Sequence, residues 1–142
     1  MAAKKPVIVN VEIVHAEAIS ILRREGKGGD ISLKDSYQAL ITEWTSGNLD
    51  ARVEGGESAQ ELADRLKDFL KILNQRNEKK TLICTHGRTL RSLMCLVNDE
   101  PLYEMEKYKH SNTGLFLVRK TKAGLELLKN NDTSHLVNMM IG

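Results

Sequence analysis

"TLICTHGRTLR", residues Thr81 to Arg91, decides how the rest of this chain is read. Thr81 to Thr85 is rich in β-favouring residues and reads as a short buried strand. His86-Gly87 then ends it, and a segment with Leu90, Leu93, Met94 and Val97 at helical spacing begins. A strand that turns directly into a helix leaves backbone N–H groups and the positive end of the helix dipole at the sheet edge, which favours an anion there. Gly87 lets the backbone approach a ligand closely. His86 can donate a hydrogen bond to a phosphoryl oxygen. The tripeptide alone also fits a histidine with a purely structural role.

Working outward, the strongest helix start is Ser58-Ala59-Gln60-Glu61, which has the form of a capping box. Ala59, Leu62, Ala63, Leu66, Phe69, Leu70 and Leu73 form an apolar stripe behind it, ending near Gln75. Tyr37, Leu40, Ile41 and Trp44 give a second helix over Ser32 to Ser46, closed by Gly47. Val7 to Val14 reads as a strand, Ala16 to Glu25 as a helix and Gly26 to Asp30 as a loop. "NLDARVEGG" (48–56) is an irregular connection and "NEKK" (77–80) a solvated turn. Pro101 opens a short helical turn. Thr113 to Arg119 and Leu125 to Leu128 are strands of a hairpin through "KTKAG" (120–124). Helices around a sheet with a parallel part follow from this order.

The bulk properties narrow the function classes. The 142 residues suit one domain, with 41% hydrophobic residues and 4% aromatic, so the core is aliphatic. A net charge of +2, with Lys and Arg spread along the chain, marks no nucleic-acid or membrane surface. No apolar run reaches the roughly 18 residues of a membrane span. Asn10, Glu12 and His15 interrupt the apolar start, which argues against a signal peptide. Cys84 and Cys95 read as buried thiols, not a disulfide or metal site. A cytoplasmic location is expected.

Two further segments give the central stretch its meaning. "EGGES" (54–58) precedes the capped helix, and "NTGLF" (112–116) follows "HGRTLR" at a suitable distance. Together they resemble the C-terminal half of the histidine phosphatase superfamily, the phosphoglycerate mutase-like proteins, over about residues 44–136. The resemblance implies a three-layer α/β/α sandwich with a mostly parallel sheet. It also implies phosphoryl transfer on a small phosphorylated metabolite, with no metal or other cofactor. In such proteins a first histidine in Arg-His-Gly takes the phosphoryl group, arginines clamp it, and a Glu or Asp protonates the leaving oxygen. A second histidine, matched here by His86, stabilises the transferring group.

The sequence departs from that pattern in its first half. Arg-His-Gly does not occur. In one alignment His15 is the nucleophile, with Val14 in place of the arginine, Ala16 in place of the glycine, and Glu17 nearby. In the other, Glu17 is the remnant of the acid segment and no nucleophile exists in these residues. Arg23 and Arg24 are candidates for a second clamp. The expected site is therefore His86, His15 and Glu17 for catalysis, and His86, Gly87, Arg88 and Arg91 for phosphate. Arg91 sits one turn into the helix and can point at an anion, though a solvated face is the competing reading for both arginines. Glu57 supports the turn before Ser58. His110, Ser111 and His135 read as surface or structural residues. The alternative to an enzyme is an inactive member that binds anions or pairs with itself as a homodimer, through surface that the incomplete first half leaves open.

Overall fold

The structure, a computed structural model, describes residues 31–136; for residues 31–34 it describes the helix but not the side chains. The strand expected at Val7 to Val14, the helix at Ala16 to Glu25 and the loop at Gly26 to Asp30 lie outside these residues.

Helix α1 spans Ile31–Thr45. It presents Leu40, Ile41 and Trp44 to the core, as their spacing requires. Gly47 follows at φ 105°, a left-handed conformation that suits glycine just beyond a helix end. The irregular connection after α1 is pinned by the Trp44 indole, which donates to the Ala51 carbonyl at 2.8 Å. A buried Trp N–H needs such a partner.

Helix α2, Ala59–Gln75, starts where the capping box places it. The Glu61 N–H donates to Ser58 Oγ at 3.1 Å, and the Ser58 N–H donates to Glu61 Oε2 at 2.9 Å. Ala59, Leu62, Ala63 and Leu66 form its buried face. Helix α3, Gly87–Val97, buries Leu93, Met94 and Cys95. A 3-10 turn, Leu102–Lys107, follows Pro101, which is its N-cap. The turn packs its Leu102 and Met105 against α1, α2 and α3.

Strands β1 (Leu115–Thr121) and β2 (Gly124–Asp132) form an antiparallel hairpin; β1 lies later in the chain than the sequence pattern outlines, and β2 is longer. Its tip is tighter than expected, with Gly124 at φ 134°, a conformation open to glycine. Phe116, Val118 and Leu127 lean on the core from one face. A short 3-10 turn, Ser134–Leu136, ends the described chain.

Two expectations need correction. Thr81 to Thr85 belongs to no ladder among the described residues, where the sheet is the antiparallel β1–β2 pair. A strand exists through its partner, and sequence alone does not supply one. For the same reason the segment is not buried: Leu82 is 45% exposed and Cys84 is exposed. Cys95, by contrast, is fully buried, and burial together with Glu100 pushes its thiol up to about 11, so it is a packing residue and not a nucleophile. No helix among the described residues is long and apolar enough to cross a membrane.

Candidate active site

The site forms where the Thr81–Thr85 segment meets α3. His86 is the N-cap of that helix, in extended conformation at φ −96° and ψ 160°. Its carbonyl accepts the first helical bond, from the Leu90 N–H at 2.9 Å. The His86 side chain makes no capping hydrogen bond, and the first turn holds no acidic residue. This helix start differs from that of α2, where Ser58 and Glu61 satisfy the terminal donors. The leading N–H groups of a helix lack intrahelical acceptors, so an uncapped end suits an external anion.

Arg88 and Arg91, three apart, share one face of α3. Both pair with the single carboxylate of Glu106: Arg88 Nη1 with Oε1, and Arg91 Nη1 with Oε2 at 2.7 Å. Arg88 Nη2 also donates to the Tyr37 hydroxyl at 2.9 Å. Its guanidinium lies over the Tyr37 and Trp44 rings, at 5.8 and 6.0 Å from their centroids, within reach of a cation–π attraction. The solvated face weighed for these arginines is thus corrected: Arg88 is 7% exposed and Arg91 half-buried. The reason is tertiary. The 3-10 turn carrying Glu106 folds back onto α3 from 15 to 18 residues away, and a planar guanidinium suits buried pairing.

The compensation is incomplete. Among the described residues, the buried Thr85 hydroxyl, Arg88 Nε and Arg91 Nε have no hydrogen-bond partner. Each such atom costs roughly 1–3 kcal/mol if left unsatisfied. All three flank His86 in the chain.

His110 lies exposed on a loop, as the sequence reading has it, and its ring also lies against Gly87. A side chain at Gly87 would overlap its imidazole, Nε2 being the nearest atom. The close approach that Gly87 permits is therefore made, in this structure, by a histidine. Burial of that ring face, and then the charges of Arg91 and Arg88, hold the His110 pKa below the usual histidine value, against a smaller opposing pull from Glu106. The sequence signal was present but split: a glycine at 87 that needs a neighbour, and a histidine 23 residues later. Glu106 and Tyr37 were missed for the same reason.

Glu57 supports its turn as expected, receiving Arg65 Nε and Nη2 at 2.9 and 2.8 Å. His135 is exposed in the final 3-10 turn. His15, Glu17, Arg23 and Arg24 lie outside the described residues. A groove lies at the other end of α3, between Asn98, Asp99 and the hairpin tip. An 11-residue helix, roughly 15 Å long, separates it from His86.

The family model described as histidine phosphatase superfamily (branch 1) matches residues 21–133. No curated protein matches. Among solved structures, the chain is similar to a histidine-to-alanine mutant of phosphoserine phosphatase from Entamoeba histolytica in complex with phosphoserine. The TM-score is 0.58 at 23% identity, over 80% of this chain and 55% of that one. The chain thus spans about half the length of the solved structure it matches.

Proposed function

Because the chain belongs to the histidine phosphatase superfamily, branch 1, we propose that it takes part in phosphoryl transfer on a small phosphorylated metabolite, with His86 at the phosphoryl group. The observation that carries this reading is the group of buried, unpartnered polar atoms on Thr85, Arg88 and Arg91 that flank His86. In this reading the phosphoryl oxygens are received by His86 and by the backbone N–H groups of Gly87 and Arg88. Arg88 and Arg91 supply positive charge and their remaining Nε–H donors, while Glu106 fixes their position. Preorganised donors of this kind favour the charge of the transferring group.

His15 as nucleophile and Glu17 as acid are the roles proposed for the first half. Val14 in place of the arginine removes a bidentate phosphate contact. Losing one stabilising donor typically lowers the rate by on the order of 10²–10³, so turnover by this chain is expected to be weak. We also propose that Thr81 to Thr85 lies in a mostly parallel sheet of a three-layer sandwich, because its composition favours a strand and its backbone is left without a ladder among the described residues.

A phosphatase assay with p-nitrophenyl phosphate and phosphoserine tests the function. Slow hydrolysis, lost in His86→Ala and in His15→Ala, is expected. Turnover unchanged by His86→Ala would refute the site. A second reading, an inactive module that pairs with its own copy, is favoured by exposed leucines at 82, 115, 117 and 128. No hydrolysis in any variant, together with a dimer mass by light scattering, supports that reading.

A further inference from the structure

We propose that His110 is a substrate-contacting residue of the same site, donating a hydrogen bond through its imidazole to a phosphoryl oxygen held at the His86–Gly87 turn. The inference rests on the phosphoryl-transfer reading above and adds a residue to it.

The first ground is placement. The backbone is fixed on both sides of His110. Two residues before it, Tyr108 is 3% exposed, and its hydroxyl accepts from Asn98 Nδ2 and donates to Glu100 Oε2 at 2.9 Å. One residue after it, the Ser111 N–H donates to Asn131 Oδ1 at 2.9 Å, and Asn131 Nδ2 donates back to Ser111 Oγ at 3.2 Å. The Ser111 carbonyl also accepts from the Gly114 N–H at 2.9 Å. Asn131 adopts a left-handed φ of 49° to make this clamp, a conformation asparagine tolerates better than most residues.

The second ground is that His110 itself is exposed and makes no hydrogen bond or ion pair with the described residues. An imidazole whose backbone is held by two anchors and which bonds to no described residue is available to a ligand. Its Nε2 edge faces the Gly87 backbone, beside the first turn of α3.

The third ground is charge. Arg88 and Arg91 face His110 from α3, and Glu106 faces it from the 3-10 turn. Two guanidinium groups against one carboxylate leave a net positive surrounding. The imidazole is therefore neutral near pH 7, and a neutral imidazole carries one N–H donor. A bound phosphate dianion reverses the local sign and favours protonation of His110, which gives two donors and strengthens the contact.

Titration of the full chain with inorganic phosphate, followed by NMR of the Gly87 amide and the histidine rings, tests this. Phosphate is expected to shift Gly87, His86 and His110 together and to raise the midpoint of His110. His110→Gln is expected to weaken phosphate binding about tenfold, the scale of one hydrogen bond to a charged group. Because His110 is exposed, the variant keeps the fold, and the wild-type midpoint provides a readout that needs no variant. If phosphate shifts Gly87 and His86, leaves the His110 ring and midpoint unmoved, and binds His110→Gln as tightly, the role of His110 is overturned while the site stands. If phosphate moves neither Gly87 nor His86, the phosphoryl site itself fails, and this inference with it.

Discussion

At the scale of single residues, Glu106 controls the site's charge. Its carboxylate is the shared partner of Arg88 and Arg91, whose side chains are 6% and 15% exposed. Removing one partner of a buried pair leaves the other charge stranded, which costs about 3–5 kcal/mol when both are fully buried. The Glu106 side chain is 35% exposed, so the low end applies. Glu106→Gln is expected to lower stability by about 3 kcal/mol in denaturant unfolding; a loss under about 1 kcal/mol would mean the arginines hold their places without it. Gly87→Ala separates two other effects. Alanine favours a helix by about 1 kcal/mol over glycine, while its methyl must displace the His110 ring. That ring ends the side chain of a loop residue and can swing away, so the fold is expected to keep its stability. Released from its burial, His110 is expected to titrate closer to the ordinary histidine value. The sign in the wild type follows from its lowered pKa. The folded state resists protonating His110, so this contribution is present above pH about 6.5 and is lost as pH falls through the lowered folded pKa. Gly87→Ala is expected to remove that pH dependence. None of these contacts was legible in the sequence, because helical spacing tells which residues share a face but not what folds onto it. Arg88 and Arg91 looked like a solvated pair for that reason.

At the scale of elements, local rules were sufficient for the helices. The capping box at Ser58 and Glu61 and the Tyr37–Trp44 spacing depend on neighbours within a turn, and the structure bears both out. Ser58 is 1% exposed, so Ser58→Ala is expected to cost about 1–2 kcal/mol, the upper part of the range for a lost N-cap. Equilibrium unfolding reads it directly, and an unchanged midpoint would show that α2 does not need its cap. The Thr81–Thr85 strand was read from composition, which fixes preference but not pairing. Leu82, Ile83 and Cys84 favour extended backbone, but they belong to no strand among the described residues. If a neighbouring strand pairs with it, the amides of residues 82–85 exchange with deuterium as slowly as those of β1. Exchange as fast as that of the exposed turn at 77–79 would exclude the parallel sheet proposed for this segment.

At the scale of the whole molecule, the family assignment and the candidate site rest on separate observations. The match over residues 21–133 is a statement about sequence. The convergence of α1, α3 and the 3-10 turn on the arginines beside His86 is a statement about packing. The order Gly-Gly-Glu-Ser, Thr-His-Gly, Asn-Thr-Gly was enough to recognise the family, because each motif marks a turn or cap that local chemistry enforces. The role of the first half was not legible, because it rests on two competing alignments of His15 and Glu17. The central claim is that the His86–Gly87 turn receives a phosphoryl group. A crystal structure of the chain with orthovanadate, which takes the geometry of phosphorus in flight, tests it most directly. The account predicts the anion within hydrogen-bond distance of His86 and of the Gly87 or Arg88 N–H, with His110 beside it. Vanadate bound elsewhere, with the turn empty at saturating concentration, would contradict it.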